Sequence, residues 1–430
     1  MIAALPDLTE FRLEFPGNGL VHVVFDAPGR TMNVFSEAAI VDIGHIARWL
    51  EEADVRGALI RSGKTTAFCA GANLPEIWAA FDMVVATPKP RRFRTAYDHF
   101  FRLSLGLRAL ETCGKPVASA IAGLALGGGG ELALASHHRV LTDDKRAAIG
   151  LPESLVGLLP GAGGTQRLPR LVGIERAMPL LLEGERLAGQ AAVDAGLAHQ
   201  VVNSGEEIAA AEAWLLSSPD PLQPWDRDDW AAPAPPDVSA ALAPIRRAAI
   251  EASLGHYPAT FAILDCVEFG LPQSFEGGIR SEMTSFSHLA LRPEPRAMIQ
   301  TMFLGRVDYE RLERKQQLPD LVEKVVALVQ VEVEKAKDHK DALAAAGFSG
   351  LGPAKVQRER VRPGYWIEGE DPRAPEAIAV LRRIHDAAAS LAGGRSDEDL
   401  RVADYAAVVK AGYPAYLGGP FAFRSSRWVH

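Results

Sequence analysis

Two glutamates stand beside backbone that carries almost no side-chain cover. Glu131 closes the run Leu126-Gly127-Gly128-Gly129-Gly130-Glu131-Leu132, and Glu153 follows in Gly150-Leu151-Pro152-Glu153. Glycines let a bound molecule come close to the main chain and leave amide N–H groups free to hold an oxyanion. Two carboxylates next to such amides are the parts needed to move a proton beside a carbonyl, a thioester carbonyl among them.

The elements that must position these residues are readable nearby. Gly127 to Gly130 runs straight into good helix sequence, Glu131-Leu132-Ala133-Leu134-Ala135, so bare amides are expected at a helix N-terminus. The bland alternative is a tight loop packed on a strand, with Glu131 merely favourable near the positive end of the helix dipole. Glu153 lies in apolar sequence that continues to Gly161-Ala162-Gly163-Gly164. Such surroundings raise a carboxyl pKa and suit a general acid. By itself, a surface loop glutamate would be the commoner case. Gly161 to Thr165 leads into Gln166-Arg167-Leu168, a second glycine-rich helix start where phosphate binding is an option. Ala70-Gly71-Ala72-Asn73 follows a short strand, and its small residues could add a second amide to the same oxyanion.

Other candidates fall away. Five residues, not four, separate Gly57 from Gly63-Lys64-Thr65, so the phosphate-wrapping P-loop is excluded. His137 and His138 are adjacent, and neighbours on a helix point apart, so they read as structural, and no metal site is expected. No G-x-S-x-G nucleophile elbow and no G-x-G-x-x-G fingerprint occurs in the 430 residues.

The first two hundred residues alternate strand and helix signals: strands at Leu20–Asp26, Gly57–Arg61 and Pro116–Ile121, and helices at Ser36–Ala53 and His99–Thr112. Ser36 reads as an N-cap, with Ile40, Ile43, Ala47 and Leu50 on one face. This argues for an α/β layer with mostly parallel strands. Ser217–Pro236 holds six prolines, four aspartates and two tryptophans and must be a linker or a wrapping segment. Beyond Ala240 only helical patterns remain. One stripe is Phe275, Ile279, Met283 and Phe286, and a second is Leu321, Val325, Leu328 and Val329. A break is expected at Gly347–Gly364 and a further helix at Pro375–Leu391.

Bulk properties narrow the function. The net charge is -8, with 48% hydrophobic and 23% charged residues. A nucleic-acid partner therefore has no electrostatic support. No apolar run reaches membrane-spanning length, and Met1 to Phe15 has no basic n-region of a signal peptide. Cys69, Cys113 and Cys266 are far apart, which fits a reducing, cytoplasmic location and neither disulfides nor zinc.

At the glycine and glutamate motifs the chain resembles the crotonase (enoyl-CoA hydratase/isomerase) superfamily, from about Leu13 to Val202. The motifs Ala67 to Asn73, Ile121 to Leu132, Gly150 to Glu153 and Leu159 to Leu168 agree in order. The last looks most like the hydratase part of multifunctional fatty-acid oxidation proteins. Tyr257-Pro258-Ala259 and Glu282 to Ala290 resemble the helical linker that follows it there. Ala411 to Phe421 resembles the closing motif of their 3-hydroxyacyl-CoA dehydrogenase C-terminal domain, without the nicotinamide-binding domain between.

The resemblance implies a crotonase-type spiral of ββα units followed by an all-helical region. Its parts would be a crotonase domain over 1–205, a linker with packing helices over 206–317 and a helical domain over 318–430. It implies Glu131 and Glu153 as catalytic carboxylates, with Ala72 and Gly128 as oxyanion-hole amides. Arg30, Ala70, Gly127 and Gly161 would bind substrate. Asn73 and Pro75 depart from the aspartate and basic residue common in the family, which bears on CoA affinity and acyl specificity. The implied activity is hydration of a 2-enoyl-CoA, with no cofactor beyond the CoA of the substrate and no dehydrogenase activity. The alternatives are isomerisation or hydrolysis of a cyclic or aromatic acyl-CoA, or a non-catalytic scaffold for a β-oxidation partner. A monomer or dimer is expected, since the chain's own helices can cover the face that single-domain relatives bury in trimers.

Overall fold

The computed structural model describes residues 4–351, 366 and 371–423. Two compact units emerge. The first takes the chain up to Ser154, then Leu159–Leu242 and Ala262–His288; the second takes Leu155–Leu158, Ala243–Phe261 and the chain from Leu289 on.

The first unit contains two sheets. The larger has six strands in the order β1-β2-β3-β5-β7-β10: Phe11–Glu14, Leu20–Phe25, Gly57–Ser62, Val117–Ile121, His138–Thr142 and Gln200–Val202. Only β1 pairs antiparallel; the rest are parallel. β2 is buried at every position, as its unbroken Leu-Val-His-Val-Val-Phe sequence requires of a strand covered on both faces. The smaller sheet has the order β4-β6-β8-β9: Ala67–Cys69, Leu124–Leu126, Ala148–Gly150 and Arg186–Ala188.

The chain repeats one move three times. It lays a strand in the large sheet, then a short strand in the small sheet, then turns into helix. β3 and β4 lead to α2 (Leu74–Ala86), after the first helix α1 (Glu37–Glu52). α3 (Lys89–Glu111) then returns to β5 and β6, which lead to α4 (Gly128–Ala135). β7 and β8 lead to a 3-10 turn at Pro152–Val156 and then α5 (Gly164–Val172). This is the expected ββα spiral. Because β4, β6 and β8 run parallel, their C-terminal ends lie along one edge of the small sheet. Gly71, Gly127 and Glu153 all follow those ends, so topology alone gathers them.

Local detail follows the sequence with some corrections. The Ser36 hydroxyl accepts from Ala39 N–H and caps α1, a contact worth about 1 kcal/mol. The buried face of α1 is Ala39, Ile43, Ile46, Ala47, Trp49 and Leu50, whereas Ile40 is half-exposed. α3 begins at Lys89, ten residues before the expected His99. Its Arg- and Lys-rich first turns hide a helix whose apolar face is set by Ala96 and Phe101. Ser217–Pro236 wraps the first unit: Trp225 stacks on Phe275 with centroids 4.9 Å apart, and Gln223 reaches carbonyls at the end of α4. The stripe Phe275, Ile279, Met283 and Phe286 lies on a helix, Phe275–Ala290, and is buried.

The second unit is helical among its described residues. Leu321–Lys335, Ala374–Ala389 and Asp397–Ala411 bring Leu321, Val325, Val329, Leu381, Ile384 and Ala403 into one core. Of the second apolar stripe, Leu321, Val325 and Val329 are buried within their own unit, and Leu328 is half-exposed. The closing motif supplies structure to this core. Asp404 accepts from Phe421 N–H and Ala422 N–H, at 2.7 and 3.0 Å, and Tyr416 stacks on His256. Part of the break expected at Gly347–Gly364 lies outside the described residues.

Candidate active site

The site begins where β6 ends. Gly127 has φ of +53°, a value side chains rarely adopt, and donates to Gly150 O at 3.0 Å. Gly71, with φ of +107°, lies directly opposite. A Cβ built on Gly127 would stand 3.4 Å from the Gly71 Cα and 3.0 Å from Glu153 Oε1. Backbone touches backbone here, and the Glu153 carboxylate rests on the contact.

The next glycines serve packing. A Cβ on Gly129 would meet Cys69 O at 2.3 Å, and one on Gly130 would meet Gly150 O at 2.8 Å. The glycine run is thus both a tight loop on a strand and a helix start. The neighbouring amides are committed: Ala70 N–H donates to Asn33 O, and Asn73 N–H to Phe35 O. Ala72 N–H and Gly128 N–H have no acceptor among the described residues. Gly128 is the first residue of α4, where no intrahelical acceptor exists. The two amides expected to form the oxyanion hole are among those with no acceptor here.

Glu131 is buried, 2% exposed, and its Oε1 accepts from Ala162 N–H at 2.7 Å and Gly164 N–H at 2.9 Å. Burial pushes its pKa up to about 7, against the pull of those amides and of the Arg167 guanidinium. Glu153 is half-buried as a residue, but its Oε2 is enclosed without a hydrogen-bond partner. Burial and the negative charge of Glu131 raise its pKa well above the usual carboxylate range. The two carboxyls are unequal: Glu131 has donors that stabilise an anion, and Glu153 Oε2 has none.

A third glutamate joins them, and sequence reasoning gave it no role. Glu282 is fully buried on the Phe275–Ala290 helix. Its Oε1 accepts from Gly163 N–H at 2.7 Å, and its Oε2 accepts from Thr165 N–H at 3.0 Å and the Thr165 hydroxyl at 2.5 Å. Burial and Glu131 push its pKa up to about 8. The signal was present: Glu282 interrupts the apolar stripe at the position three after Ile279.

This corrects the reading of Gly161–Thr165. The amides of Ala162 to Thr165 go alternately to Glu131 and Glu282, so they cannot cradle a phosphate. The loop is held from behind by Arg167, fully buried, which donates to Ala162 O and bridges to Glu111. Gly161 itself lies against the Phe286 ring.

The remaining candidates are placed as follows. Arg30 is exposed and faces Glu76 at 3.7 Å. His137 accepts from Val117 N–H, and its other ring nitrogen lies 3.1 Å from Glu111 O. His138 stacks on Trp214. Both are structural. Gly57–Ser62 is a strand and not a phosphate loop. A cavity of about 60 Å³ lined by Arg61, Lys64, Thr65, Gly123 and Glu207 contains none of the three glutamates, and a group as large as a CoA does not fit it. No cluster of three metal-ligating side chains occurs, and no helix is long and apolar enough to cross a membrane, among the described residues.

Comparison with known proteins finds relatives of part of the chain. Residues 16–222 match the enoyl-CoA hydratase/isomerase family. A fatty acid oxidation complex subunit alpha of Idiomarina loihiensis is 34% identical over 299 residues, covering 68% of this chain and 40% of that protein. Its counterpart in Shewanella frigidimarina is 30% identical over 322 residues, covering 74% and 44%. A crystal structure of an enoyl-CoA hydratase from Bacillus anthracis aligns over 72% of this chain and 98% of that one, at 23% identity and a TM-score of 0.43. The chain thus spans less than half the length of the curated relatives it matches.

Proposed function

The chain carries, over residues 16–222, a domain of the enoyl-CoA hydratase/isomerase (crotonase) family, and from that premise we propose that it hydrates the 2,3 double bond of a 2-enoyl-CoA thioester. The observation that carries this reading is the unequal pair of carboxyls beside two uncommitted amides.

In this reading Ala72 N–H and Gly128 N–H polarise the thioester carbonyl and then hold the enolate oxygen. Ionised Glu131, fixed by Ala162 and Gly164, takes a proton from water as its oxygen adds to C3. Glu153, protonated and without a partner for Oε2, delivers a proton to C2 as the enolate collapses. The proton is then on Glu131, and exchange with solvent resets the pair. Ala70, Gly127 and Gly161 would border the acyl-thioester, and Arg30 is placed on the surface, where a CoA phosphate is the group it could meet.

Isomerisation and hydrolysis remain the alternatives, and isomerisation needs only one carboxylate. The test is purified full-length protein with 2-enoyl-CoAs from crotonyl-CoA upward, following loss of the conjugated thioester absorbance. Hydration of at least one chain length is expected. No reaction at any length, with tight CoA binding retained, would favour the scaffold reading instead.

A further inference from the structure

The third glutamate calls for an explanation that apolar packing does not give. A buried carboxylate is costly unless its donors are worth the burial. A glycine loop could be capped by a neutral side chain at lower cost. Here the carboxylate is placed where it repels two others, and it contacts the very loop that holds Glu131.

The bonding is interleaved. Ala162 N–H and Gly164 N–H go to Glu131; Gly163 N–H and Thr165 N–H go to Glu282. Successive amides therefore point to opposite sides of one short turn. Gly163, with φ of +95°, makes that alternation sterically feasible.

We propose that Glu282 is a positioning residue of the site: by holding Gly163 N–H and both donors of Thr165, it keeps the alternate amides Ala162 and Gly164 aimed at Glu131. The proposal rests on the hydratase reading only for its kinetic consequence. The other charged or titratable groups facing this cluster are Arg167, paired to Glu111, Arg170 on the same helix, and Cys266.

The test uses the full chain as wild type, Glu282→Gln and Thr165→Val. Gln matches Glu in shape, but its amide nitrogen must face a donor, so one side of the clamp opens. Residue-resolved amide hydrogen exchange without substrate reads the clamp directly. Exchange at Ala162 and Gly164 should quicken at least about tenfold in Glu282→Gln, with Gly163 and Thr165, and a few-fold in Thr165→Val. Hydration kcat should fall by about ten- to a hundredfold in Glu282→Gln with little change in KM. Unchanged protection at Ala162 and Gly164 in folded Glu282→Gln would overturn the proposal, as would an unchanged kcat. If Glu282→Gln does not fold, the Thr165→Val exchange pattern decides. If the wild type hydrates nothing, the hydratase reading fails, and the exchange data still judge the clamp.

Discussion

The molecule contains two glycine-rich helix starts, and they do opposite things. At Gly127–Gly130 the loop is packed on strand backbone, and its leading amide, Gly128 N–H, is left free. At Gly161–Gly164 the loop gives every following amide to a carboxylate from its own protein. Both sequences look like anion sites. What separates them is whether a buried acidic side chain reaches the amides first. Glycine makes a ligand's approach feasible; it does not reserve the amides for one. The filled loop fixes Glu131, which stands three residues after Gly128 on the same helix.

The comparison can be broken most severely at Gly129. A methyl group there would stand 2.3 Å from Cys69 O, whereas one on Gly128 would stand 3.1 Å from a Phe35 ring carbon, which can move. Gly129→Ala should therefore lose about 3 kcal/mol or fail to fold, and Gly128→Ala should fold with a far smaller loss. Urea unfolding of the two variants measures this. Equal stability would mean that the loop relaxes and that the packing account is wrong.

A smaller effect concerns protons. In the folded chain Glu131 keeps its proton up to about 7 and Glu282 up to about 8, against 4.5 ordinarily. The native state then binds more protons than the unfolded one above 4.5, and buried Glu153 and Asp404 act in the same sense, so stability falls as pH rises through 7 and 8. Buried His137, His138 and His256, held near 4, act in the opposite sense, and only below their ordinary 6.5. Between pH 6.5 and 8 the wild type should lose on the order of 2 kcal/mol. Calorimetric unfolding across that window should show a flatter slope for Glu131→Gln. A wild type as stable at pH 8 as at 6.5 would remove the evidence for buried, protonated carboxyls.

The smallest expected signal is none. Neither glycine run has the dinucleotide spacing, and the amides of the second are occupied. Titration calorimetry with NAD, NADH and inorganic phosphate should give no saturable heat. A micromolar response to either nicotinamide cofactor would overturn the expectation that none binds. A response to phosphate that Glu282→Gln strengthens would instead show the filled loop opening.

Much of this was legible in the residues. Strand and helix alternation, the Ser36 cap and a proline segment that breaks the helices follow from pattern and local chemistry, and the two glutamates were singled out by resemblance to a family. Less was legible wherever the cause lay far along the chain. α3 was read short because its charged first turns carry no apolar stripe. The Gly161–Thr165 loop was read as a candidate phosphate site because its partners are remote in sequence: Glu131, and Glu282 on a helix more than a hundred residues later. Glu111 and Arg167 likewise form their buried pair only in three dimensions. The one sequence-level hint was a glutamate inside an apolar stripe, a local conflict of the sort that marks a functional position.

The central claim is that two unequal carboxyls beside free amides hydrate an enoyl thioester. The most direct measurement is kcat/KM for 2-enoyl-CoA hydration by wild type, Glu131→Gln and Glu153→Gln. Each substitution should cost at least about two orders of magnitude, the usual contribution of a positioned acid or base. A wild type that leaves all 2-enoyl-CoAs untouched would contradict the claim, and so would a variant of either glutamate that keeps near-normal turnover.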